Sequence, residues 1–91
     1  MTYTVKAAGA FKKNRKAMRK RGLDLALLND VVTKIANREI LDIKYRDHEL
    51  SGVYKGLREC HIQPDWLLIY LVDEKNQVIT LVNTGTHSDL F

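Results

Sequence analysis

The stretch Trp66-Leu67-Leu68-Ile69-Tyr70-Leu71-Val72 is the longest apolar run in this 91-residue chain. Its side chains are apolar at every position rather than at alternate positions, a pattern typical of a central strand that is covered on both faces. Turn-forming residues stand on either side of it, Pro64-Asp65 before and Asp73-Glu74-Lys75-Asn76 after. Residues 77–83 are therefore predicted to form the returning strand of a hairpin.

The segment before this hairpin, residues 58–63, is also predicted to be a strand. Its alternation puts Cys60 and Ile62 on one face and Glu59 and His61 on the opposite face. Cys60 is the only cysteine of the chain, which excludes an internal disulfide and fits a reducing compartment. We expect it to be a partly buried residue of the strand.

The N-terminal part predicts one strand and two helices. Apolar and polar residues alternate over residues 3–7, as in a half-buried strand. A helix is predicted over residues 10–21 and is expected to end at Gly22, a common residue after a helix C-terminus. Asp24 is a good N-cap for a second helix, whose apolar stripe continues to about Asn37. The short connection between the helices predicts a helical hairpin.

The remaining segments complete a predicted α+β fold. Residues 38–51 are interpreted as a loop carrying His48, residues 53–57 as a strand, and residues 85–91 as a polar turn. The order is β, α, α and then about four strands joined by short turns. We therefore expect residues 1–91 to form a single domain, with an N-terminal strand and a two-helix hairpin packed on a four- to five-stranded antiparallel sheet.

The positive charge of the chain is concentrated in one helix. Residues 12–21 hold seven of the 15 Lys and Arg residues and no acid, so the rest of the chain has eight basic against eleven acidic residues. A cationic run is usually a solvated face, but like charges one turn apart cost helix stability with no ion pair to offset it. We expect this helix to bind phosphate groups or an acidic protein, and the pattern does not separate the two.

No segment predicts a membrane span or an export signal. The longest apolar run has seven residues, whereas a spanning helix needs about 20. The first six residues contain no charged region followed by an apolar stretch, which a secretory signal would require. The sequence therefore predicts a cytoplasmic protein with no membrane partner.

Three histidines, His48, His61 and His87, stand in polar, turn-rich surroundings. Taken singly, each is more often a surface or structural residue than a catalyst. Taken together they suggest an acid–base site, because histidine exchanges protons near neutral pH. Cleavage of RNA needs a base for the 2′-hydroxyl, an acid for the leaving oxygen and a cation for the phosphate. The histidines with the neighbouring Glu59 and Arg58 would supply these groups without a metal.

A zinc site is the competing interpretation of the same residues. The three histidines with Asp65 or Glu59 offer the nitrogen and oxygen ligands that zinc prefers. The sequence lacks the close paired spacing that places two ligands on one helix or turn, as in H-E-x-x-H. We therefore predict no metal and no other cofactor.

Three motifs in order give the chain a family resemblance. They are Asp47-His48-x-Leu50-x-Gly52, Arg58-Glu59-x-His61-Ile62-x-Pro64-Asp65-Trp66 and Gly85-Thr86-His87-Ser88-x-Leu90-Phe91. In this combination the chain resembles the YafQ branch of the RelE/ParE toxin superfamily over essentially its whole length, including the basic helix. Gyrase-poisoning members of the superfamily lack this histidine set, which argues against that target.

The resemblance implies a fold, an activity and partners. The fold would be RelE-like, with the order βααββββ. Members are type II toxins, metal-independent endoribonucleases that enter the ribosomal A site and cut the mRNA there. The implied partners are a cognate antitoxin, the ribosome with its rRNA, mRNA, and operator DNA reached only through the antitoxin, with the toxin as co-repressor.

The resemblance also assigns site residues. By position it implies the catalytic residues His48, His61, Asp65 and His87, to which the chemistry adds Arg58 and Glu59, where Glu59 stands at a position often occupied by Asp. The residues expected to bind RNA are Lys12, Lys13, Arg15, Lys16, Arg19, Lys20, Lys55 and Phe91. From the residues alone Phe91 is either packed or frayed, or else stacks on a base, and the resemblance places it at the family's C-terminal aromatic.

The expected roles leave several alternatives open. His87 would be the general acid and either His48 or His61 the general base. Asp65 or Glu59 would orient an imidazole, and Arg58 would stabilise the charge on the phosphorus centre. A protein of another class, a non-catalytic module that binds RNA or the antitoxin as co-repressor, remains the alternative function.

Overall fold

The computed structural model describes residues 2–91, and within them the predicted helices and strands are largely confirmed. Met1, the first residue of the segment searched for an export signal, lies outside the described residues. None of the described helices is long and apolar enough to cross a membrane. The helices and strands are β1 (Thr4–Ala7), α1 (Gly9–Lys20), α2 (Leu25–Ala36), β2 (His48–Glu49), β3 (Arg58–Gln63), β4 (Trp66–Asp73), β5 (Val78–Gly85) and α3 (His87–Leu90).

The five strands form one sheet in the order β1-β5-β4-β3-β2. The apolar run that begins at Trp66 is its central strand β4, with β3 and β5 antiparallel on either side, as predicted. The α+β class is also confirmed, but the expectation of a wholly antiparallel sheet is wrong for β1. It pairs in parallel with β5, from Thr4 opposite Val78 to Ala7 opposite Leu81. Short turns determine the direction only of the strands that they join. The two helices and strands β2, β3 and β4 lie between β1 and β5 in the chain, so no short turn makes this pair antiparallel.

The main core lies between the helical hairpin and one face of the sheet. Phe11 and Met18 of α1 are 1% exposed, and they pack with α2 and with Cys60 of β3. Cys60 is fully buried, where partial burial was expected. Burial raises the pKa of the Cys60 thiol far above its usual range. Leu67 on the opposite face of β4 is buried as well but belongs to a separate set of contacts. The sheet is thus covered on both sides of its centre.

Local chemistry ends α1 and begins α2 as expected. Gly22 adopts a left-handed conformation, with φ of 89°. The Leu23 N–H donates to the Met18 carbonyl over 3.1 Å, which closes a Schellman motif at the end of α1. The Asp24 side chain accepts a hydrogen bond from the Ala26 N–H over 2.9 Å and caps α2.

The predicted strand over residues 53–57 is wrong. Gly52 and Gly56 have φ of 67° and 97°, and between them the chain forms a 3₁₀ turn, Gly52–Tyr54, instead of an extended strand. Val53 favours strands, but its side chain is 93% exposed and packs on nothing that would hold a strand. The turn chemistry of the two glycines therefore outweighs the local strand preference.

Two segments predicted to be irregular contain short elements. The loop over residues 38–51 includes a 3₁₀ turn, Ile43–Tyr45, and the two-residue strand β2. The C-terminal segment forms α3 rather than a turn. Its capping box is reciprocal: the Thr86 side chain accepts from the Asp89 N–H over 3.2 Å, and the Asp89 side chain accepts from the Thr86 N–H over 2.8 Å.

Candidate active site

A cluster of histidines and carboxylates lies on the face of the sheet opposite the helices. Glu59 and His61 of β3 form its floor, with side chains only 7% and 11% exposed. They point away from the main core because their neighbours Cys60 and Ile62 point into it, as the alternation predicted. His61 Nε2 lies 3.4 Å from Glu59 Oε1.

His48 reaches the same floor from the edge strand β2. Its Cα is paired with that of Glu59, and directly opposed residues in antiparallel strands project to the same face. His48 Nε2 lies 3.7 Å from Glu59 Oε1, so this one carboxylate faces two imidazoles. The His48 side chain is 49% exposed and forms one side of the cluster.

His87 and Asp65 form the other side of the cluster. His87 begins α3 just beyond the end of β5, and Asp65 lies in the turn between β3 and β4. Asp65 Oδ1 accepts hydrogen bonds from the His87 backbone N–H over 3.0 Å and from His87 Nδ1 over 2.6 Å. These two bonds hold the pKa of Asp65 below its usual range. The His87 ring centroid is 5.7 Å from that of His61.

All three imidazoles are held in the same way. Each Nδ1 lies against an oxygen acceptor: the Arg46 carbonyl at 2.6 Å for His48, the Pro64 carbonyl at 3.2 Å for His61, and Asp65 for His87. Since carbonyl and carboxylate oxygens only accept, each Nδ1 is the donor. Nε2 is therefore the nitrogen that every ring leaves for chemistry.

This arrangement can move protons at two places a few ångströms apart. Nε2 of a neutral imidazole accepts a proton, and Nε2–H of a charged imidazole donates one. Glu59 offers negative charge to His48 and His61, while Asp65 orients the His87 ring and balances the charge that the ring carries when it holds both protons. One site thus contains candidates for both the base and the acid.

Arg58 does not join this cluster, contrary to the expectation that it would face the phosphate. It is the Cα partner of Tyr70, whose side chain belongs to the main core, so it projects to the helix side of the sheet. Its guanidinium donates to Asp47 Oδ2 over 3.0 Å, and this bond raises the pKa of Arg58. The cause is the same alternation that separates Arg58 from its neighbour Glu59.

Four residues that directly precede His48 in the chain were not among the predicted site residues. Asp47 bonds Arg58 and Tyr70 and directly precedes His48. Its only sequence signal was its place in the first family motif. Lys44, Tyr45 and Arg46 were missed as well; with His61 they line a cavity of about 440 Å³. Their signal was a cationic, aromatic tripeptide close before His48.

Phe91 contacts an aromatic residue that the sequence analysis did not select. Its ring meets that of Tyr54 edge to face, with centroids 5.5 Å apart, and its side chain remains 56% exposed. The Phe91 N–H donates to the His87 carbonyl over 2.9 Å, which places the ring one helical turn from the imidazole. Lys55 directly follows Tyr54 and is exposed. Phe91 is thus packed on one edge and open to a ligand on the rest of its surface.

The basic helix α1 lies on the other side of the sheet from the histidines. Phe11 and Met18 face the core, and no ion pair within residues 2–91 engages the six selected cations. All six are exposed: Lys12, Lys13, Arg15, Lys16, Arg19 and Lys20. Arg21 differs, because its guanidinium donates two hydrogen bonds to Asp89 of α3, over 2.8 and 3.1 Å. This pair joins the end of the basic helix to the helix that carries His87.

The cluster could also hold a metal ion. One ligand atom from each of Glu59, His61 and His87 lies within 4.8 Å of the others. A tetrahedral ion with ligands at about 2 Å needs them about 3.3 Å apart, so a small contraction would suffice. Two nitrogens and one oxygen suit zinc or copper better than magnesium.

Comparisons with known proteins identify the family of this chain. Residues 3–91 match a family model described as the bacterial toxin of a type II toxin-antitoxin system, YafQ. The mRNA interferase toxin YafQ of Escherichia coli K12 is 36% identical over 88 residues, which cover 96% of this chain and 94% of the relative.

Solved structures of similar proteins share the fold. A metal-bound toxin from Helicobacter pylori has a TM-score of 0.92 at 42% identity, with 98% of this chain and 99% of that one covered. YafQ in its complex with the antitoxin DinJ from E. coli has a TM-score of 0.90 at 34% identity, with 100% and 99% covered. With its fold and nearly its whole length in common with these proteins, the chain belongs to the YafQ family of type II toxin–antitoxin toxins.

Proposed function

We propose that this toxin is an endoribonuclease that cuts mRNA in the ribosomal A site by histidine acid–base catalysis. The observation that carries the proposal is the convergence of three imidazoles on one face, each with Nδ1 held by an oxygen acceptor, and with Nε2 of His48 and His61 turned towards Glu59. The E. coli relative named as an mRNA interferase supports RNA as the substrate.

The proposed reaction needs only groups of the cluster. Nε2 of His48 or His61 takes the proton from the ribose 2′-hydroxyl, and the resulting oxygen attacks the adjacent phosphorus. The bond from phosphorus to the 5′-oxygen breaks, and Nε2–H of His87 gives that oxygen its proton. The products are a 2′,3′-cyclic phosphate and a 5′-hydroxyl, so no water, metal or redox partner is consumed.

Positive charge for the phosphate comes from residues other than Arg58. Lys44 and Arg46 line the cavity beside His61, where a phosphate next to the scissile one would meet both cations. Lys55 and the exposed ring of Phe91 lie close to α3, where a base would stack. The six cations of α1 bind rRNA on the opposite side of the molecule.

The partners of the proposed toxin follow from its family. The E. coli DinJ–YafQ complex supports a cognate antitoxin that binds this chain. In the proposal this antitoxin is a repressor that takes the chain as co-repressor and brings it to operator DNA. The toxin acts in the cytoplasm, where it meets translating ribosomes.

The test is to express the chain with and without the antitoxin encoded beside it and to map mRNA 5′ ends. Codon-linked cuts with 5′-hydroxyl ends are expected in the absence of the antitoxin. His87→Ala and His48→Ala should each abolish growth inhibition while antitoxin binding in a pull-down stays intact. Retained toxicity in both variants would refute the assignment, and growth arrest without cuts would favour the non-catalytic alternative.

A metal-dependent site is the second candidate, favoured by the Glu59, His61 and His87 ligand atoms and by the metal-bound toxin from H. pylori. Metal-independent catalysis predicts that a chelator leaves ribosome-dependent cleavage unchanged. It also predicts that added zinc inhibits cleavage, because the ion would take the Nε2 lone pairs that the reaction uses. Loss of cleavage in the chelator, restored by zinc, would establish the metal-dependent alternative.

A further inference from the structure

The residue before His48 is anchored on the face of the sheet opposite the catalytic cluster. Asp47 accepts a hydrogen bond from the Tyr70 hydroxyl through one carboxylate oxygen and from the Arg58 guanidinium, at 3.0 Å, through the other. Tyr70 is 2% exposed, and burial together with the Asp47 carboxylate raises the pKa of its hydroxyl far above the usual range. The hydroxyl therefore remains a donor to Asp47 at every physiological pH.

The anchored Asp47 fixes the orientation of the neighbouring His48 imidazole. Asp47 directly precedes β2. Its side chain is held by Arg58 and Tyr70 on the helix side of the sheet, whereas the side chain of His48 faces Glu59 on the other side, so a fixed Asp47 keeps the next residue turned towards Glu59. The backbone before it is fixed as well: Arg46 adopts a left-handed conformation, with φ of 48°, and its carbonyl accepts from His48 Nδ1 over 2.6 Å. The backbone of Arg46 and the side chain of Asp47 thus both restrict the orientation of the His48 ring.

Strand pairing alone holds this segment weakly. β2 has two residues, and its register consists of His48 opposite Glu59 and Glu49 opposite Arg58 at the edge of the sheet. So short an edge strand frays readily, and the His48 side chain is itself 49% exposed. Leu50 N–H adds a hydrogen bond to the Leu57 carbonyl over 2.8 Å, and the contacts from Asp47 tie the residue next to His48 to β3 and β4.

We propose that Asp47, held by Tyr70 and Arg58, is a positioning residue that fixes the His48 imidazole against Glu59 from the far side of the sheet. The catalytic part of this assignment rests on the nuclease function proposed above. It gives Arg58 a role through Asp47 rather than on the phosphate.

The first test replaces the anchor without changing its size. Asp47→Asn should lower kcat for ribosome-dependent cleavage by about 10- to 100-fold, because displacement of a reacting group by about 1 Å costs up to that much. KM should stay within about twofold, because substrate binding is untouched. Tyr70→Phe, which removes only the buried hydroxyl, should lower kcat in the same direction. A rise in KM at unchanged kcat would overturn the proposal.

A matched control is available at Asp42, whose carboxylate caps the Ile43–Tyr45 turn by accepting from the Lys44 N–H over 2.9 Å. Asn caps such turns as well as Asp, so Asp42→Asn should leave kcat and KM unchanged. Urea unfolding of every variant shows whether the protein is folded under the assay conditions.

The second test separates the two roles of Arg58. If Arg58 acts through Asp47, Arg58→Met should lower kcat in the wild-type background and have no further effect in the Asp47→Asn background. If Arg58 contacts the phosphate, the two losses should multiply. Multiplying losses would overturn the assignment.

The third test does not depend on catalysis. Nitrogen-15 spectra of the imidazoles should show an ordered His48 in the wild-type protein and exchange broadening of His48 in Asp47→Asn, while His87 stays unchanged. An unaltered His48 signal would overturn the anchor itself. If the His48 signal broadens in Asp47→Asn but the wild-type protein cuts no RNA, the anchor is supported and the nuclease function is rejected.

Discussion

Gly85→Ala should damage the candidate active site far more than it damages stability. A Cβ at this position would lie 2.8 Å from Asp89 Cβ and 3.0 Å from Asp89 Oδ2, whereas carbon atoms in contact sit about 3.5–4.0 Å apart. The short helix α3 would therefore have to move by about 1 Å. His87 lies on that helix, so its bonds to Asp65 would be lost or lengthened.

The two effects differ in size. Loss of the capping bonds between Asp89 and Thr86 costs about 1 kcal/mol, and loss of the exposed Arg21–Asp89 pair costs roughly 0–1 kcal/mol. A domain of ordinary stability, about 5–15 kcal/mol, stays folded after such a change. A displacement of about 1 Å at the proton donor lowers cleavage by up to about 100-fold.

The assay combines urea unfolding, followed by Trp66 fluorescence, with cleavage of ribosome-bound mRNA. Gly9→Ala is the matched control, because no heavy atom lies within 4 Å of the added Cβ and alanine favours the helix that begins there. It should keep full cleavage and equal or higher stability. Wild-type cleavage by Gly85→Ala, or a loss of cleavage explained by unfolding alone, would refute the reasoning.

Three further changes address stability and ribosome binding. Thr84→Val should lower the free energy of unfolding by about 1–3 kcal/mol in urea titrations, because it leaves the buried Trp66 indole N–H, now 2.9 Å from the hydroxyl, without an acceptor. Arg21 holds the pKa of Asp89 well below its usual range, so this carboxylate stabilises the fold above about pH 4 and loses that contribution as the pH falls towards its lowered pKa. In Asp89→Asn the urea midpoint of unfolding should therefore decrease less steeply below about pH 4 than in the wild type. An equally steep decrease in both proteins would contradict this. Lys16→Gln should make the logarithm of the ribosome-binding constant fall less steeply with the logarithm of the salt concentration, by the amount expected for about one phosphate contact. A slope equal to that of the wild type would exclude Lys16 from the interface.

Hydrophobic pattern was sufficient to predict the centre of the fold. An apolar run as long as that from Trp66 to Val72 is compatible with few positions other than a central strand, and Gly22 and Asp24 marked helix ends by local chemistry that needs no tertiary contact. The segment after Gly52 was mispredicted because strand preference is weaker than the requirement of two glycines in left-handed conformations. The parallel pairing of β1 is a tertiary choice that no local pattern encodes.

The part of the candidate site that lies on one strand could be predicted from the sequence, and the contacts between distant segments could not. Alternation alone grouped Glu59 with His61, and the same rule already separated Arg58 from them, a consequence that the chemical argument for a phosphate-binding cation overlooked. The contact between His87 and Asp65 joins residues 22 positions apart and depends on the capping of α3. The prediction went only as far as Asp65 or Glu59 orienting an imidazole, because spacing in the sequence does not determine which residues meet.

The sheet separates the cationic helix from the imidazoles in a molecule whose shortest dimension is about 28 Å. If the proposed roles hold, an inhibitor that covers only the helix blocks docking on the ribosome and leaves the chemistry competent. An inhibitor that covers only the imidazoles then leaves docking intact. Two measurements on the toxin–inhibitor complex therefore identify the covered side: whether the complex still binds ribosomes, and whether it still cleaves an isolated oligonucleotide. Mutations that tune ribosome affinity can likewise accumulate without disturbing the proton-transfer groups.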